Sequence, residues 1–221
     1  MNNENKDFNI DRQVRQIANK SDAITTHTLV ITGQIERHLI LPSDVNTVKY
    51  EQTLRLLADI ESNPEINGLL IVLDVVGGDA EAGLAVAEIV ASMKKPVVSL
   101  LLGSTNSIGL PLAIAARKSY IVPSATVAVC PVCMDEDLGL GGNTLQERIN
   151  KFIVNHSGIV EQDLHDFLLA DEIGSIIDSE TAKNCGLIDQ IGGLSDAMQK
   201  LRAMCSERER NKRRRTKKSW D

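Results

Sequence analysis

The chain has 221 residues, 43% of them hydrophobic and 3% aromatic, enough for one globular domain with an aliphatic core of Leu, Ile, Val and Ala. Its net charge of −6 is uneven: Glu207 to Asp221 carries eight Lys or Arg against three acids (+5), which leaves −11 for Met1 to Ser206. So acidic a body argues against a core that reads nucleic acid, and four cysteines with no framework spacing argue against a disulfide scaffold.

In chain order, Met1 to His27 reads as a flexible N-terminal segment with a polar start and no signal-like apolar run. Thr28 to Thr32 alternates and stops at Gly33, a first strand. Val48 to Glu61 has helical apolar spacing and ends at Ser62-Asn63-Pro64. Gly68 to Asp74 is a continuous apolar strand of the kind covered on both faces. Ala80 to Met93 reads as a helix, Val97 to Leu102 as a strand, Gly103 to Ser107 as a tight turn, and Ser107 to Ala116 as a helix. Pro96 to Ala116 is uncharged, but its polar middle favours buried strand–turn–helix over a membrane span. Short strands follow near Tyr120–Val122 and Thr126–Cys130, then helices Thr144–Asn155, Glu161–Leu169 and Ser179–Asn184, with Asp178 as N-cap and Gly186 as the stop. Ser195 to Met204 closes a domain spanning 28–205, and 206–221 reads as a basic, disordered tail able to touch nucleic acid or an anionic membrane. Repeated strand–helix–strand units imply a parallel sheet wrapped by helices, an α/β fold.

Two strand ends carry the chemistry. Gly77-Gly78-Asp79 follows one buried strand and Ser107-Ile108-Gly109 follows the next. A serine at such an end is exposed, and bare glycine amides can approach a carbonyl oxygen, so the pattern describes a nucleophile beside an oxyanion hole.

These residues, together with Gly33-Gln34-Ile35 and Cys185-Gly186-Leu187-Ile188-Asp189, resemble the proteolytic subunit of Clp protease, its divergent translocation-enhancing branch above all, over roughly Thr28 to Leu201. The resemblance implies a crotonase-like spiral of βαβ units and a serine-type endopeptidase. By position, Ser107 would be the nucleophile, the Gly78 and Ile108 amides the oxyanion hole, and the strand edge at Gly77 and Gly78 the peptide-binding element. It implies no cofactor and no metal, a cytoplasmic, ring-forming homo-oligomer or a hetero-oligomer with an active paralogue, peptide or unfolded protein as substrate, and an ATP-dependent unfoldase as a partner, since no ATP-binding motif occurs here.

The chain departs from that family at two positions. The family's general-base histidine ends a strand after Ala-Thr and before proline; here Cys130 stands there, in Ala125-Thr126-Val127-Ala128-Val129-Cys130-Pro131. The orienting aspartate, counted back from Ala182 and Gly186, falls on Gly174, with Asp171 and Glu172 the nearest acids. A thiol is a poor base and shorter than imidazole. Lys95 is separated from Ser107 by a strand about 20 Å long, and Lys118 lies some 16 Å down the following helix. Loss of the base costs on the order of 10⁶ in turnover. The stretch between Cys130 and Glu147, the handle through which the family's rings meet, is also shorter than in the branch it resembles.

Two other readings compete with a peptidase: a non-catalytic Clp-like scaffold, and a thiol switch or half a zinc site at Cys130-Pro131-Val132-Cys133. A crotonase-type acyl-CoA enzyme shares the fold but leaves Ser107-Ile108-Gly109 unexplained.

Overall fold

The computed structural model describes residues 24–37, 47–106, 108–132, 142–171 and 174–218. Its main sheet holds β1 (Thr26–Glu36), β2 (Thr47–Lys49), β3 (Gly68–Gly78), β4 (Val97–Leu101), β6 (Lys118–Ile121) and β9 (Gln190–Ile191) in the order β2-β1-β3-β4-β6-β9, every pair parallel. Parallel pairs need crossover connections, and the helices α1 (Tyr50–Ser62), α2 (Ala80–Ser92) and α3 (Gly109–Ile114) supply them. The α/β expectation from strand–helix alternation is met.

Alternation of side chains along β3 divides the core. Leu69, Ile71, Leu73 and Val75 face α1, α2 and α3, whereas Leu70 and Val72 join Val98 and Leu100 beneath Ala197, Leu201 and Cys205 of α7 (Leu194–Lys218). Gly68 lets α7 approach: an added Cβ would lie 2.5 Å from Cys205 Sγ. Two-sided cover is why β3 reads as an unbroken apolar run.

A second, three-stranded sheet is built from β5 (Ser104–Asn106), β7 (Thr126–Val129) and β8 (Ser175–Asp178). β5 and β7 are parallel, β7 and β8 antiparallel. Helices α4 (Gly142–His156) and α5 (Glu161–Leu169) pack beside it, and α6 (Ser179–Asn184) leads back to β9. The structure corrects the turn expected at Gly103 to Ser107. Gly103, at φ +60°, turns the chain out of the main sheet, and Ser104–Asn106 then pairs with Thr126–Ala128, helped by a 2.9 Å hydroxyl contact between Ser104 and Thr126. Asp178 caps α6 as expected, accepting from Thr181 N at 2.8 Å.

The last helix is also longer than expected. α7 does not stop near Met204 but continues to Lys218, so the basic segment placed in a disordered tail is helical in its backbone to that residue. Leu201 and Cys205 anchor it, and propagation from an anchored helix lacks the nucleation cost an isolated one would carry. Among the described residues no helix is long and apolar enough to cross a membrane.

Candidate active site

β3 outlasts its neighbour on one side. β4 stops opposite it at the Leu73–Leu101 pair, whereas β1 stays paired as far as Gly78, opposite Ile35. The register shifts after Gly33, so that Gln34 pairs with Gly77 and Val76 is left bulged and exposed. Among the described residues no strand pairs with the β4-side edge of Val75 to Gly78.

Glycine is required at Gly78. Its φ is +127°, and an added Cβ would sit 2.4 Å from both Ile35 N and Ile35 O. The Asp79 N–H then donates to Ile35 O (2.9 Å) while the Asp79 carboxylate accepts from Ala82 N (2.8 Å), which fixes the N-cap of α2 immediately after the glycine pair. No atom lies within 4 Å of an added Cβ at Gly77, so that position opens to free space.

The second strand end is held by packing. Ile108 is buried, and its side chain occupies the notch at Gly83 of α2, where an added Cβ would come within 2.0 Å of Ile108 Cγ1. It has helical φ and ψ of −68° and −12° and stands immediately before Gly109, where α3 begins; the helix was expected from Ser107. Gly109 fits tightly between Thr105 and Val75, with an added Cβ 2.5 Å from Thr105 Cγ2. Pro111 is tolerated because first-turn amides have no intrahelical acceptor.

Cys130 follows β7 and is half-buried. It shares a narrow, mostly apolar cavity with Ile108, Leu110, Ile149 and Leu168. The polar part of that lining was not anticipated from sequence: Gln146 accepts from Val132 N at 2.7 Å and donates to Asn150 Oδ1 at 2.6 Å. Gln146 and Asn150 stand one helical turn apart on α4, which could have flagged them. Gly174, at φ +83°, abuts the same strand end, and its added Cβ would lie 2.2 Å from Val129 O and 2.8 Å from the Cys130 Cα. The structure therefore brings Ile108, Cys130 and Gly174 to one end of β7. Ser107, Glu172 and Cys133 lie outside the described residues.

None of the described histidines lines this cavity. His156 stacks on Phe152 with ring centroids 4.0 Å apart, its Nδ1 2.9 Å from Phe152 O near the end of α4. His165 is exposed beside Asp166. His27 is buried under the main sheet's helical face, its Nε2 has no partner, and burial pushes its pKa down. His38 is outside the described residues. The lysines are engaged elsewhere: Lys95 Nζ donates to the Ile60 and Asn63 carbonyls that end α1, and Lys118 Nζ to Asp189 at 2.6 Å. Among the described residues no three His, Cys, Asp or Glu could jointly hold a metal ion.

A strand end with paired glycines, a buried helix-entry amide and a parallel sheet opening at its carboxyl edge define a Clp-type α/β domain. The Clp protease family model matches residues 21–132, and the chain belongs to that family. Within it the chain is TepA-like: it is 42% identical over 187 residues to the translocation-enhancing protein TepA of Halalkalibacterium halodurans, spanning 79% of this chain and 73% of that protein. The ATP-dependent Clp protease proteolytic subunit 2 of Treponema denticola is 25% identical over 136 residues, 57% of this chain and 68% of its own. ClpP1 from Listeria monocytogenes, solved as a point mutant, superposes with a TM-score of 0.59 at 18% identity, covering 77% of this chain and 93% of that one, a likeness of fold.

Proposed function

We infer that this chain is a peptide-binding subunit of an oligomeric compartment whose serine site is nearly silent when it acts alone. Ser107 is the nucleophile of that site, the Gly78 and Ile108 amides its oxyanion hole, and the free β3 edge at Gly77 and Gly78 the strand that pairs with an extended peptide. The observation that supports the reading is the packing of Gly174, the position the resemblance gives to an orienting carboxylate, against the backbone at the end of β7, which leaves no room for a side chain there. With Cys130 in place of the base, an oxyanion hole alone leaves about 10³–10⁴ over the uncatalysed rate, far below a complete triad. The subunit holds peptide or unfolded protein in a ring of its own copies, or completes a ring with an active paralogue that an ATP-dependent unfoldase feeds.

The test is a casein-type peptide assay on the purified chain, with native mass measurement and fluorophosphonate labelling of wild type and Ser107→Ala. An oligomer that binds peptide without turnover supports the scaffold. Turnover by the isolated chain that Ser107→Ala abolishes would overturn it and assign a working peptidase.

A further inference from the structure

Cys205 is the last residue of α7 buried among the described residues. From Ser206 to Lys218 no described residue is buried and the sequence contains no apolar side chain. These thirteen residues make about 20 Å of helix at ~1.5 Å each. Eight cations fall between Arg208 and Lys218, against Glu207 and Glu209 alone in the same stretch of helix. Lys212 pairs with Glu209 at 2.9 Å, but the spacings Arg208–Lys212, Arg210–Arg214 and Arg214–Lys218 set like charges one turn apart. Such a helix is completed by counter-charge from outside.

The distribution of charge selects the occupant. Steps of about 100° per residue put Arg208 and Lys212 on the opposite side of the helix axis from Arg210 and Arg214. A planar lipid surface meets one side of a helix, and interfacial helices also need an apolar face, which is absent here. The major groove of B-form DNA admits a whole α-helix and lines both flanks with phosphates. At the foot of the extension a groove runs between α7 and the N-terminal ends of β4 and β6, lined by Pro96, Arg117, Arg208, Asn211, Lys212 and the opposing Glu207. Strand polarity puts this groove at the end of the sheet opposite Gly78. Carboxylates of the acidic body more than about 8 Å away are largely screened at physiological salt.

We propose that Ser206–Lys218 is a duplex-DNA-binding helix that contacts the phosphodiester backbone without reading sequence. It tethers the domain from the end remote from the peptide site. The experiment is fluorescence anisotropy of the full chain with two labelled DNA duplexes of unrelated sequence across a salt series. Both duplexes bind equally, and log K falls linearly with log salt with a slope of about −4.5 to −6.3 if five to seven cations engage. R213Q/R214Q/R215Q weakens binding at least tenfold and flattens the slope by about 2.7. R213K/R214K/R215K retains both, which separates charge from folding. Tighter capture by phosphatidylglycerol vesicles at equal phosphate would overturn the proposal, as would salt-insensitive binding, no binding, or a glutamine variant whose main effect is a smaller native mass.

Discussion

Gly174 and Cys130 meet backbone to backbone: a Cβ on Gly174 would stand 2.8 Å from the Cys130 Cα and 2.2 Å from the Val129 carbonyl oxygen. Two positions that the Clp-family resemblance assigns to a base and its carboxylate are thus coupled by contact. A side chain placed at Gly174 meets a steric block at the end of β7. Gly174→Asp is expected to destabilise the chain by about 2–4 kcal/mol, combining a left-handed φ with a backbone clash. Denaturant unfolding measures it. Cys130→His alone is expected to raise peptide hydrolysis by no more than about 10²-fold in the same casein-type assay, because Gly174 supplies no carboxylate to orient the new imidazole.

At the other strand end, Gly78→Ala forces a methyl group into Ile35 N and O and disrupts the last rungs of β1–β3 pairing. A loss of about 2–3 kcal/mol is expected, with weaker peptide binding. Gly77→Ala has open space and pays mainly for its φ of +138°, so it should cost less. Equal losses at the two glycines would contradict the geometry.

Asp189 ties β6 to the segment before β9. Its carboxylate accepts from Lys118 Nζ (2.6 Å), Ser119 N (2.9 Å) and Ser119 Oγ (3.0 Å). Burial pushes its pKa up, but the hydrogen bonds from Lys118 and Ser119 outweigh that and hold it below the usual carboxylate value. A depressed folded-state pKa means stability that is present above the unfolded value of 3.8 and is lost as pH falls through the folded one. Asp189→Ala is expected to cost about 1–3 kcal/mol at neutral pH, chiefly by stranding Ser119 and Lys118, and to flatten the acid limb of the stability curve.

His27 acts in a higher pH window. Burial lowers its pKa from 6.5, so below that value the unfolded chain takes up a proton that the folded one resists, and stability declines as pH drops from 6.5 towards the folded pKa. His27→Leu removes the unpartnered Nε2 and this titration together. Unfolding midpoints measured at several pH values should show the wild type weakening on acidification in that window and the variant holding steadier.

Long periodic or fully buried elements were legible in the sequence. β3 and β4 announce themselves because two-sided burial leaves apolar runs, that of β3 ending at Gly77-Gly78, and α2 by its mostly apolar stretch closed at Lys94-Lys95-Pro96. The glycine pair and Ile108-Gly109 were legible for the same reason, as breaks after such runs. β2, β8 and β9 were not, because strands of two to four residues are defined by the partner they touch. In β8 the exposed Ile176 and buried Ile177 alternate too briefly to register as a pattern. The helical state of 206–218 was hidden because its polar residues carry no period, and its support lies upstream at Leu201 and Cys205. At Gly174 the sequence reports only a missing acid; that the gap is closed depends on where β7 ends.

Gly103 makes one run of chain serve two sheets, β4 in the large one and β5 in the small one, within the residues Val97 to Asn106. Any tilt of the small sheet is therefore delivered along a covalent lever that ends at Asn106. Pressure on the outer edge of β8, two strands from β5, would therefore be felt at Asn106, where the chain leaves the small sheet for α3.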